Sequence, residues 1–264
     1  MGVGQAKRPE PGAGAARAMS EEIVVRPCVR LEEFHTCVDL QRDIWGEADL
    51  EVEPVTVFVV ASKVGGQVFG AFEGNRMVGY LLALPGVRNG KPYLHSHMTG
   101  VLEAYRNKGV GRKLKLYQRE EALGRGISLV EWTFDPLELR NAHFNLNKLG
   151  AIARQILPNL YGVTTSPLHR GLATDRLVAE WLLSSPRVTA ILSGRVPEPR
   201  EAPAEIHIPL GLEEGEKASG EDLARIQERV RREFQEWFGR GYAAFALVRS
   251  AEGSRYLLTP WSDF

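Results

Sequence analysis

Arg106-Asn107-Lys108-Gly109-Val110-Gly111-Arg112 is the stretch that decides how this 264-residue chain is read. It stands between a run that reads as a strand, Tyr93–Val101, and one that reads as a helix, Gly109–Leu123. Glycines allow close approach of a ligand to the backbone, and a helix start leaves unpaired N–H groups facing it. Together they form an anion cradle suited to a pyrophosphate. Arg106, Lys108 and Arg112 add local positive charge. A Walker A loop would need Gly-Lys-Ser/Thr, but Gly111 is followed by Arg-Lys-Leu. A dinucleotide fingerprint would need a third glycine where Leu114 stands.

Working outward, Ile23–Arg26 reads as a strand. Leu31–Trp45 reads as a helix with Leu31, Phe34, Val38, Leu40 and Ile44 near one face, and Pro54 opens a second helix stopped by Gly65-Gly66. Val68–Glu73 and Arg76–Leu84 are strands joined at Gly74-Asn75. Beyond the glycine-rich loop, Ile127–Phe134 is a strand. Asp135-Pro136-Leu137-Glu138 reads as the cap of a helix running to Leu149, and Ala151–Leu157 and Arg176–Leu183 are further strands. The order predicts an α/β domain with a mixed sheet. Four segments are expected: a disordered leader over 1–19, the main domain over 20–185, a linker over 186–203, and an α+β C-terminal segment over 204–264. The last is either a subdomain or an extension of the main sheet, and its clearest element is an amphipathic helix over Ser219–Phe238.

The 33 basic residues balance the 33 acidic ones, which argues against a polyanion such as nucleic acid as partner. No apolar run approaches the roughly 20 residues of a membrane span. Cys28 and Cys37 are the only cysteines and make no metal-ligand pattern. They read as free thiols of a cytoplasmic protein, with no metal expected.

The loop, with its lead-in Val101-Leu102-Glu103-Ala104-Tyr105, resembles the pyrophosphate loop of the GCN5-related N-acetyltransferase (GNAT) superfamily, although Glu103 stands where proline is common. Lys148-Leu149-Gly150-Ala151, with Ala142 eight residues before Gly150, resembles the family's second signature. The resemblance covers roughly residues 20–185. It implies a mostly antiparallel, splayed sheet flanked by helices, here with a small C-terminal α+β extension. It also implies an acyl-CoA co-substrate, acetyl-CoA by default. Its pyrophosphate would lie on Arg106, Asn107, Lys108, Gly109, Val110, Gly111 and Arg112, and a backbone N–H near Gly100 or Val101 would polarise the thioester. The expected reaction is direct attack by the amine of a small molecule or amino acid. Acylation of a protein N-terminus or lysine is the enzyme alternative, and a non-catalytic acyl-CoA sensor the alternative from another class. The amphipathic helix could close the acceptor site or mediate a homodimer.

Amine attack requires a base. His95 and His97 lie two apart on a strand, sharing a face with Tyr93 and Thr99, and histidine titrates near neutrality. Their spacing is similar to the H-x-H pair of serotonin N-acetyltransferase. Where the family has an acid tyrosine, four residues before the Lys-Leu-Gly glycine, this chain has Leu146. Tyr161 is the substitute candidate, and Tyr117 reads as core. Asn141 and Asn145, four apart and so on one helical face, are candidates for cofactor contact against a plain polar face. Trp132, Phe134, Asp135 and Arg176 are candidates for the acceptor site, with core, helix cap and surface ion pair as their plainer readings. Arg229, Arg231 and Arg232 read as a solvated helix face.

Overall fold

The structure is a computed structural model that describes residues 22–46, 52–162, 172–195, 204–210 and 220–261. The expected leader and residues 196–203 of the expected linker lie outside the described residues. In chain order the elements are β1 (Ile23–Pro27), α1 (Leu31–Trp45), α2 (Val55–Lys63), β2 (Gln67–Glu73), β3 (Arg76–Arg88), β4 (Lys91–Val101), α3 (Val110–Gly124) and β5 (Leu129–Phe134). They continue with α4 (Leu139–His143), β6 (Ile152–Leu157), β7 (Arg176–Leu182), α5 (Pro186–Leu192), β8 (Ala204–Pro209), α6 (Gly220–Gly239), β9 (Tyr242–Ser250) and β10 (Gly253–Pro260).

All ten strands join one sheet in the order β1-β2-β3-β4-β5-β7-β6-β9-β10-β8. Every neighbouring pair is antiparallel except β4 with β5. That parallel pair is registered only at Leu94↔Val130 and His95↔Glu131. Beyond those two positions the strands part, leaving backbone N–H and C=O groups along the inner edges free for another chain or ligand. Alternation sorts the faces. Leu81 and Ala83 of β3 share a core with Leu114 of α3 and Phe234 of α6, whereas Tyr80 and Leu82 share one with Phe34 of α1 and Phe58 of α2.

Helix α1 has the predicted bounds, and its start shows why. Glu33, in its first turn, accepts hydrogen bonds from the Val29 amide (2.9 Å) and the Arg30 amide (3.1 Å), and pairs with Arg26 at 2.7 Å. Burial opposes the charge, but Arg26 and the two amides outweigh it and hold the carboxyl down to about 2, against an ordinary 4.5. A depressed carboxylate stabilises the fold above its unfolded value, and that contribution is lost as pH falls from 4.5 toward about 2. Glu33→Gln is expected to cost ~2 kcal/mol at neutral pH. Paired urea unfolding of parent and variant should show this difference shrinking below about pH 4.

Two local expectations are corrected. Asp135 does not cap a long helix: its Oδ1 accepts from the Leu137 amide at 2.8 Å in a turn, and α4 begins only at Leu139. A π turn, Phe144–Lys148, then replaces the α-helix expected to Leu149. Residues 186–192 of the expected linker are helix α5, started by Ser185, whose Oγ accepts from the Val188 amide, and by Pro186.

The C-terminal segment extends the main sheet. β9 pairs with β6 at Ala153↔Ala244, and Val230 and Phe234 of α6 join the core that contains Trp181. The Tyr256 hydroxyl donates to the Pro136 carbonyl at 2.6 Å, and the Leu247 amide donates to Asn147 Oδ1 at 2.9 Å.

Candidate active site

The parted strands β4 and β5 open toward the start of α3. Asn107 and Gly109 take positive φ (61° and 79°), which turns the loop tightly into the helix. The α3 N-terminus has no side-chain cap, so its first amides have no such acceptor. A Cβ added at Gly111 would meet only the Val101 side chain, at 3.9 Å, so the fold itself leaves that space open. An uncapped helix start with an open glycine beside it fits a phosphate. Of the basic residues, Arg106 is turned to structural work, its guanidinium donating to the Val101 and Ile44 carbonyls at 3.3 and 3.2 Å. Lys108 lies 5.2 Å from the Tyr105 ring centre. Arg112 makes a long contact of 3.4 Å to the Leu192 carbonyl.

At the other end of the gap stand the histidines. A register shift in β4, from Leu82↔Met98 to Ala83↔Ser96, leaves His97 without a partner on β3. This is a bulge. It breaks the simple alternation expected from the sequence: Thr99, opposite Leu81, belongs to the α3 face and does not share a side with His95. The bulge nevertheless keeps the two imidazoles together, with ring centres 6.2 Å apart.

Each histidine has a carboxylate that sequence reasoning did not single out. His97 Nε2 lies 3.0 Å from Glu53 Oε1. Glu53 is fixed just ahead of α2 by Gln41 of α1, which donates to the Glu53 carbonyl at 3.0 Å and accepts from its amide at 2.8 Å. His95 Nδ1 lies 3.7 Å from Glu131 Oε1 on β5. Arg88 stands 2.6 Å from the other oxygen of Glu131 and 4.0 Å from Glu180, which pairs with Arg154 at 2.6 Å. Burial alone would raise the Glu131 carboxyl, but the His95 ring and Arg88 hold it below the ordinary range. No spacing rule connects residues 44 apart such as Glu53 and His97. Glu131 alternates with buried Val130 and Trp132, a signal that could have found it.

The same alternation removes two expected acceptor contacts. Trp132 and Phe134 point to the α3 side, where Trp132 meets Trp181 edge-on at 6.0 Å. Glu131 and Thr133 face the histidine side. Tyr161 is brought to that side: its hydroxyl is 2.9 Å from Thr133 Oγ1, and its side chain is half exposed. Its loop is pinned by the Tyr161 amide donating to Thr174 Oγ1 (2.8 Å) and the Asn159 amide donating to Asp175 Oδ1 (3.0 Å). Asp175 is wholly buried and pairs with Arg231 of α6 at 2.7 Å, so Arg231 is not part of a solvated face. Arg176 is buried too, 3.7 Å from Asp135 and 5.5 Å from the Tyr161 ring centre, which replaces the expected surface pair. Asn141 is exposed and Asn145 buried, its Nδ2 without a hydrogen bond. The π turn explains why four-residue spacing does not place them alike. Leu146 is fully buried, and Tyr117 packs edge-on against Phe69 at 4.9 Å as core. Gly100 packs against α1, where an added Cβ would meet Ile44 at 2.8 Å.

Residues 34–150 match the model of the acetyltransferase (GNAT) family. A GNAT-family protein from Desulfovibrio desulfuricans superposes with a TM-score of 0.52 at 14% identity, over 62% of this chain and 100% of that one. The protein smu.2055 from Streptococcus mutans does so with 0.51 at 20% identity, over 61% and 99%. YncA from Salmonella typhimurium, solved with its cofactor acetyl-CoA, gives 0.50 at 17% identity, over 62% and 96%. These likenesses establish the shared fold. No curated protein matches the chain. Among the described residues no helix is long and apolar enough to cross a membrane.

Proposed function

We propose that residues 34–150, which match the model of the acetyltransferase (GNAT) family, form an acyltransferase domain, and that the protein moves an acyl group, acetyl by default, from coenzyme A to the amine of a small molecule or amino acid. The observation that carries this reading is a single arrangement. The gap between β4 and β5 has an uncapped, glycine-lined helix start at its mouth and two carboxylate-backed histidines at its closed end.

The residues divide the work as follows. The α3 amides hold the pyrophosphate, and the free edges of β4 and β5 offer hydrogen bonds to the amide-bearing arm of the co-substrate. The buried Asn145 Nδ2 is a further donor lacking an acceptor. An ammonium has no lone pair, so the acceptor must lose a proton before attack. We assign that proton to His97, directly or through water; Glu53 at 3.0 Å and the neighbouring His95 support the assignment. Leu146 has no proton to give, and we assign the protonation of the departing thiolate to Tyr161, supported by its hydroxyl lying 2.9 Å from Thr133 on the histidine side.

The test is a thiol-release assay crossing several acyl-CoAs with amines, amino acids and short peptides. Turnover with one small-amine class is the expected result, and turnover with peptides alone would transfer the reading to a protein acceptor. Saturating acyl-CoA is also expected to raise Tm. At ~100 times Kd the linkage is ~2.7 kcal/mol, several degrees for a chain of this size. Binding without thiol release toward any acceptor would make the protein a sensor, and no Tm shift would remove the co-substrate itself.

A further inference from the structure

Lys115 of α3 is buried, and no carboxylate pairs with it among the described residues. Its Nζ donates to Ser96 Oγ at 3.0 Å and to Gln118 Oε1 at 2.8 Å. It lies 3.7 Å from the centre of the Trp132 ring and 5.6 Å from that of Trp181. Gln118 in turn donates to Gln67 of β2 at 2.9 Å, and Gln67 reaches Glu121. A buried amine is costly unless its hydrogens are used, and burial pushes this one well below the ordinary lysine value.

Its place is more telling than its charge. The last registered pairs of β4 and β5 are Leu94↔Val130 and His95↔Glu131. The next pair in that register would be Ser96 with Trp132, and Lys115 touches both of these side chains. Paired strands stand about 4.8 Å apart, whereas an ammonium-sized group held between a hydroxyl and an indole face needs more room. The obstacle is also next to His97, the residue left unmatched by the bulge.

We infer that Lys115 is a positioning residue that props β4 and β5 apart where their pairing stops, and thereby sets the place of the His97 ring. The second half rests on the acyltransfer reading; the first does not. Without the prop, the strands would close by at least one further pair, and an amide among residues 96–98 that faces β5 rather than β3 would become hydrogen bonded. The gap that admits the co-substrate would shorten from its closed end, displacing the base from the attacked carbon.

The experiment uses the full chain. Lys115→Ala is expected to slow hydrogen exchange by ~10-fold at whichever amide among 96–98 faces β5, because the closed strands protect it. Its kcat in the thiol-release assay should fall by ~10- to 100-fold, the scale of a small displacement of a reacting group, with KM for acyl-CoA little changed. Lys115→Met keeps the bulk while losing the hydrogen bonds and the amine over the Trp132 ring, so it should keep exchange near the parent rate and restore most of kcat. Lys115→Leu, shorter but apolar, is the second short variant should alanine fail to fold. Faster or unchanged exchange at that amide in a folded short variant overturns the prop, since simple loosening speeds exchange. Loss confined to acyl-CoA affinity overturns its link to His97. If the parent releases no thiol, the acyltransfer reading fails while the exchange measurement still decides the prop.

Discussion

Gly111→Asp is expected to abolish acyl-CoA binding without unfolding the chain. Gly111 is the second residue of α3, and a side chain there meets little of the protein, the Val101 methyl at 3.9 Å being its nearest contact. An acidic residue in a first helical turn complements the helix dipole by ~0.3–1 kcal/mol, so the ligand-free protein should melt no lower than the parent. The new carboxylate would occupy the space open to a phosphate and repel it. Like charges about 4 Å apart at a partly exposed site cost ~4 kcal/mol, on the order of 1000-fold in affinity. Gly109→Ala separates the effects, because Gly109 sits at φ 79° and any side chain there is strained. That variant should lose stability as well as affinity. Calorimetric titration of both with CoA checks this, and parent-like affinity in Gly111→Asp would show that the pyrophosphate binds elsewhere.

His97→Gln is expected to lower kcat by ~100-fold or more, the usual worth of a positioned general base. The side chain is partly exposed, so the folded state should lose little. Glu53→Gln leaves the imidazole without its carboxylate and should cost about a tenth as much in rate. Because Glu53 acts through His97, the double variant should be no slower than His97→Gln alone. The pH–rate profile of His97→Gln should lack the limb that a base contributes to the parent's. A parent-like kcat and profile in that variant would remove His97 from the base role and leave His95 with Glu131 as the next pair to test.

The sequence was most legible where local chemistry is strong. The glycine loop marks the strand-to-helix turn and the anion cradle, and the apolar spacing of α1 gives its exact bounds. Helix α6 is visible for the same reason, through Leu223, Ile226, Val230 and Phe234. Less legible was anything set by register. The bulge at His97 depends on how β3 lies against β4, and a strict period of two cannot show it. Hence Thr99 was placed on the wrong side while the histidines were still correctly paired. Trp132 and Phe134 were ambiguous for a simpler reason: an apolar residue beside a site reads alike as pocket wall or core. The carboxylates that support the histidines come from the segment just ahead of α2 and from β5, and long-range pairing of this kind leaves no spacing to recognise. Lys115 is the instructive case. It follows Leu114 and precedes Gln118 on the buried side of α3, so a polar residue inside an apolar stripe was present to be noticed.

The tie between Arg231 and Asp175 changes what counts as the smallest viable piece of this protein. A chain trimmed after Leu183 would keep the whole stretch that matches the family model, residues 34–150. It would also strip a wholly buried carboxylate of its arginine, loosen the loop that presents Tyr161, and leave β6 as a bare edge. Removing one member of a buried ion pair typically costs 3–5 kcal/mol, and an uncovered edge invites association with other chains. Strands β8, β9 and β10 are built into the main sheet rather than set beside it. The unit that can be inherited, exchanged or trimmed as a whole is the ten-stranded sheet, not its first seven strands.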